Sequence, residues 1–115
     1  MGADAFVVCY GIRYSLGRDA DISDEQLAVF EEERDPRMLA AAKVGLKTWW
    51  DKETDGGEYV LFVGAMLGEL GIEHDMSRSV ADPALAEAME RTRALLKQAG
   101  LEGTPALHFQ VFAQY

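Results

Sequence analysis

Four side chains are the best equipped for chemistry in this sequence: Arg13 and Cys9 near its start, His108 and Gln110 near its end. An imidazole moves protons near neutral pH. A guanidinium grips a carboxylate through paired N–H donors, and a primary amide can orient a carbonyl. All four sit in alternating runs of apolar residues, so they read as strand side chains held on rigid elements. If the two strands are neighbours, Cys9, Gly11 and Arg13 share a face with His108 and Gln110. That face would be a shallow groove for a small carboxylate, with His108 as general acid or base, Arg13 as anion anchor and Gln110 as orienting donor. His74, within Gly71-Ile72-Glu73-His74-Asp75, is a further ligand-binding candidate, although its flanking carboxylates face the other way if it lies on a strand.

Other features point away from specialised chemistry. Cys9 lies among Val7, Val8 and Tyr10, the setting of a buried, inert thiol. Two histidines far apart in sequence, with no third ligand at a recognisable spacing, predict no metal site. Gly64, Gly68 and Gly71 do not match a dinucleotide fingerprint, and no cofactor is expected. Trp49-Trp50 cannot both point into a core from neighbouring helical positions, which leaves one ring at a boundary. The Glu31-Glu32-Glu33 run reads as a solvated helix end.

The elements that must position these residues follow from period and punctuation. Phe6, Val8, Tyr10, Ile12, Tyr14 and Leu16 alternate with smaller or more polar residues, which predicts a strand. Ser23 with Gln26 forms a capping box, predicting a helix from Asp24 to about Arg34. Asp35-Pro36 starts a second helical piece, with Leu39, Ala42, Leu46, Trp49 and Trp50 on one stripe, ending at Asp55-Gly56-Gly57. Asp82-Pro83 caps a third helix, with Leu85, Met89, Thr92, Leu96 and Ala99 on one face and a glycine cap at Gly100 and Leu101. The last strand spans Ala106 to Tyr115, with Leu107, Phe109, Val111 and Ala113 facing the core and His108, Gln110, Phe112 and Gln114 facing away.

The stretch from Glu58 to Arg78 exceeds a typical strand and reads as a hairpin, with strands near Glu58 to Ala65 and Gly71 to Met76 and a turn around Leu67 to Leu70. The resulting order, β-α-β-β-α-β with the first α in two pieces, is the ferredoxin-like one, an α+β fold with helices on one face of an antiparallel sheet. The alternative is three long strands with interleaved helices.

With 115 residues, 49% of them apolar, the chain is expected to form a single domain, residues 1–115, with a core that needs no staple. A single cysteine, with no basic or long apolar leader in Met1 to Phe6, predicts a cytoplasmic protein. A net charge of -9, with basic residues scattered singly, argues against nucleic acid and anionic membranes as partners.

Element order alone licenses no function. The leading expectation is a small acidic module that self-associates, covering Val7, Val60, Phe62 and Phe112 with a second copy, and binds a small molecule or protein through its open sheet face. One alternative is a small enzyme, a dimeric α/β barrel using His108. The other is an acidic inhibitor or immunity-type protein that masks a basic partner with Asp19, Asp21, Asp24, Glu31 and Glu32.

Overall fold

Period-two alternation builds a first strand, β1 (Asp4–Arg18), two residues longer at each end than the run from Phe6 to Leu16. The computed structural model describes residues 4–52, 57–71 and 73–113. A short 3-10 turn (Asp19–Asp21) leads to α1 (Asp24–Glu31), α2 (Pro36–Val44), β2 (Lys47–Lys52), β3 (Glu58–Leu70), α3 (Asp82–Gln98) and β4 (Ala106–Ala113). The four strands form one antiparallel sheet in the order β2-β3-β1-β4, and the chain is α+β. No helix among the described residues is long and apolar enough to cross a membrane.

Local chemistry starts and stops the helices. In α1 the Gln26 amide donates to Ser23 Oγ at 3.2 Å and the Ser23 amide donates to Gln26 Oε1 at 2.8 Å, the reciprocal capping box read from the sequence. Asp35 caps α2 by accepting from the Arg37 amide at 2.9 Å. All three helices end alike, with a left-handed residue followed by an amide that reaches back to a carbonyl near the end of the helix. Glu33 (φ 55), Gly45 (φ 84) and Gly100 (φ 72) supply the turn, and Arg34, Leu46 and Leu101 donate to Val29, Ala41 and Leu96.

Two segments depart from the expected layout. The second helical piece stops at Gly45, and Trp49-Trp50 lie on β2 and not on a helix. On a strand neighbouring residues face opposite ways, so the two rings straddle the sheet. Trp50 packs on Phe30 at 5.7 Å on the helix side, and Trp49 packs on Phe62 at 6.0 Å on the other. The expected stop at Asp55-Gly56 lies outside the described residues. Residues Glu58 to Leu70 form one strand, so the expected hairpin at Leu67 to Leu70 is replaced by a β2–β3 pairing. Between Gly71 and Met76 the described residues make only an isolated bridge, Leu70 with Asp75. Residues 114 and 115 of the expected last strand also lie outside the described residues.

The helices pack on one face. Phe30 from α1, Met38 and Ala41 from α2, and Leu96 from α3 bury against Ile12, Leu61 and Val63. Leu39, expected on that stripe, is 51% exposed, because the α2 stripe is rotated by one residue onto Met38 and Ala41.

The opposite face also buries a cluster, to which no described helix contributes: Val7, Cys9, Val60, Phe62 and Phe112, with Trp49 packed against them. The register explains how. Trp49 pairs with Phe62, which pairs with Arg13, whereas Phe112 pairs with Ala5. In a flat sheet two such positions lie roughly 30 Å apart, from eight residues of rise and three strand spacings. Here the Trp49 and Phe112 rings meet edge to face at 4.6 Å. The sheet therefore coils diagonally until two opposite corners touch. Its bends coincide with an extra residue in β3 (Leu67) and one in β1 (Leu16). Gly11 and Gly64 face each other at the closest approach, where a Cβ on Gly11 would lie 2.0 Å from the Val63 carbonyl oxygen.

Candidate interaction surface

The coil determines what the groove residues can do. Cys9 pairs with His108 and Val7 with Gln110, so Cys9, Arg13, His108 and Gln110 do lie on one face of the sheet. That face is filled by rings. His108 is half-buried with its ring 5.4 Å from Phe62, and its Nε2 lies 3.0 Å from the Gly11 carbonyl oxygen. A carbonyl only accepts, so Nε2 carries the hydrogen and donates, tying β4 to β1. Arg13 lies 3.6 Å from Glu58, whose Oε1 also accepts from Ser15 Oγ at 2.6 Å. Gln110 Nε2 reaches the Val111 carbonyl at 3.5 Å. Burial pushes the Cys9 thiol up to about 12, which leaves it protonated and a poor nucleophile.

His74 sits in the loop after β3, 3.6 Å from Glu69. Glu69 pairs with Val7, which pairs with Gln110, so His74 lies by the same end of this face as Gln110. No group of three or more His, Cys, Asp or Glu among the described residues is placed to hold a metal ion.

A pocket on this face lined by the described residues Cys9, Trp49 and Phe62 among others is about 10 Å³, which is room for about one water. Val7, Val60, Phe62 and Phe112, the residues expected to need covering by a second copy, are each at most 3% exposed in the single chain. The coil has already covered them.

A larger cleft of about 280 Å³ lies across the sheet, between the end of β1 and α1, lined by Ser15, Gln26, Phe30 and Arg37 among others. The one cation among its described lining residues is committed. Arg37 donates through Nε and a terminal nitrogen to both carboxylate oxygens of buried Asp35, at 3.0 and 2.9 Å, and lies over the Tyr14 ring at 5.0 Å. Burial pushes the Asp35 carboxyl up, but the hydrogen bonds and charge of Arg37 outweigh it and hold Asp35 below its ordinary value.

The surface that stands out is one assigned to the core from sequence. Leu107, Phe109 and Val111 are 39%, 62% and 45% exposed, forming an apolar stripe on the sheet's outermost strand. They pair with Tyr10, Val8 and Phe6 on the helix-side face of β1; α3 reaches Tyr10, whose hydroxyl accepts from Arg93 at 3.0 Å, and the buried helix-side cluster lies further along, around Ile12, Leu61 and Val63. Among the described residues β4 pairs only with Asp4–Gly11, and most of it overhangs that cluster. Phe109 leans on Phe6 at 6.3 Å.

The two edges of the sheet differ. At the β2 edge Lys47, Asp51 and Lys52 are charged, the usual protection of an open strand edge. β4, Ala-Leu-His-Phe-Gln-Val-Phe-Ala, holds no Asp, Glu, Lys, Arg or Pro. Alternation in the sequence could identify the stripe but not its exposure, which depends on how far the helices extend. Comparisons with known protein families, with curated proteins and with solved structures found no match.

Proposed function

We propose that this chain is a protein-interaction module on a ferredoxin-like β-α-β-β-α-β plan, with the first α divided into α1 and α2, and that its working surface is the open edge of β4. Read from its other end, the sheet order is β4-β1-β3-β2, with the helices packed on one face, which supports that plan. The observation that carries the function is the stripe of Leu107, Phe109 and Val111 on an edge strand that lacks any charged protection. Unpaired backbone donors and acceptors at such an edge supply affinity, and alternate side chains supply selectivity, as in strand addition to a sheet. A groove centred on His108 has less support, because aromatic rings fill that face.

Titration with a soluble peptide of alternating valine and threonine, followed by backbone amide NMR, tests the reading. Shifts are expected in Ala106–Ala113 and in neighbouring β1 residues, with the His108 ring signals changing only as part of that strand. No β4 response at millimolar peptide, together with a His108 response to small carboxylic acids, would overturn it in favour of the enzyme reading.

A further inference from the structure

We infer that the partner seated on β4 is a second copy of this chain, joined by antiparallel pairing of β4 with its twin about a twofold axis at Phe109. The inference rests on the reading of β4 as the working surface and adds the partner's identity.

The side-chain order of β4 is self-complementary about that axis. In an antiparallel pair centred on Phe109, Phe109 faces its own copy and Leu107 faces Val111 of the second copy, which joins the exposed apolar residues on one face. On the other face His108 lies opposite Gln110, so Nδ1, the ring nitrogen that Gly11 does not engage, meets an amide N–H from which it can accept. Apolar meets apolar and polar meets polar along the strand, and a shift by one residue would break the match.

Charge permits the same partner. Two chains of net charge -9 repel, yet β4 carries no ionisable residue except His108. The acidic stretch that begins at Asp19 follows the far end of β1, roughly 25 Å along the strand beyond the Gly11 pairing. A partner selected by charge would be drawn to that acidic end, whereas a neutral stripe suits a copy of itself. The size of the patch sets the strength. Three partly exposed side chains offer on the order of 250 Å² per copy, against roughly 800 Å² per partner in a standard interface. Backbone pairing adds to this, and a weak association in the micromolar range or above is expected, strengthened by salt that screens the repulsion.

Sedimentation equilibrium from 10 μM to 1 mM, with methyl NOE spectra at the upper end, tests the inference. Within one strand the methyls of Leu107 and Val111 lie about 13 Å apart, too far for an NOE, so a cross-peak between them reports the twofold pairing. The expected result is a concentration-dependent dimer with that cross-peak. Phe109→Lys is expected to weaken it at least about tenfold, and Leu39→Lys, on an exposed apolar residue of α2, to leave it unchanged. A monomer throughout the range, a dimer indifferent to Phe109→Lys, or a dimer without the cross-peak would overturn the inference. Peptide binding at β4 by a strictly monomeric protein would overturn it while leaving the interaction-module reading intact.

Discussion

Asp35 carries two structural duties on one carboxylate: it caps the first turn of α2 and anchors Arg37, which in turn lies over Tyr14. Its carboxyl titrates below the ordinary value of 3.8, so the folded state binds this proton less readily than the unfolded chain does. The resulting stability is fully present above about pH 4 to 5 and is lost as pH falls through the folded value. Asp35→Asn keeps a capping acceptor but cannot titrate. In urea melts between about pH 7 and 2, the gap between the wild type and Asp35→Asn should be widest near neutrality and close as the solution is acidified. A gap independent of pH would show that the Asp35–Arg37 pair adds no titratable stability.

At the scale of the element, helix ends in this chain are decided within a few residues. Ser23 makes a complete capping box, whereas Asp82 is the first residue of α3 and the N-cap position falls on Ala81, which has no side-chain capping bond. The expectation from Asp82-Pro83 is thus corrected: proline opens the helix at its first turn, and the aspartate contributes only its charge near the helix dipole. Ser23→Ala should cost about 0.5 to 2 kcal/mol, and Asp82→Ala about 0.3 to 1 kcal/mol that fades in high salt. Denaturant melts at low and high ionic strength would separate the two, and a larger loss at Asp82 would contradict the observed cap.

The whole molecule is organised by the coil of its sheet, and two phenylalanines on one strand report on it. Phe112 is 1% exposed where opposite corners of the sheet meet, while Phe109 is 62% exposed on the other face of β4. Phe112→Ala should destabilise the monomer by about 3 to 5 kcal/mol, because it leaves a cavity beneath Trp49. Phe109→Ala should cost less than about 1 kcal/mol in dilute solution, where no partner covers it. Urea melts at low micromolar concentration, read by tryptophan fluorescence, provide the comparison. Equal losses at the two sites would mean that the corners do not seal that face.

Much of the local structure was legible in the sequence. The capping box at Ser23 and Gln26, the restart at Asp35-Pro36, the glycine stop at Gly100-Leu101 and the alternation of β1 all depend on groups a few residues apart, and their chemistry is written in the order of the residues. Gly45-Leu46 carries the same stop signal as Gly100-Leu101, so the end of α2 was legible too, but the apolar stripe running on to Trp50 masked it. The shared face of Cys9, Arg13, His108 and Gln110 also followed from period two once β1 and β4 were taken as neighbours. What only the tertiary structure decided was the fate of each face. Whether Phe62 and Phe112 need a partner depends on how far the sheet coils, and whether Leu107, Phe109 and Val111 are covered depends on where the helices end over the sheet. Burial of a strand residue is set by elements distant in sequence, whereas a cap or a turn is satisfied by its neighbours.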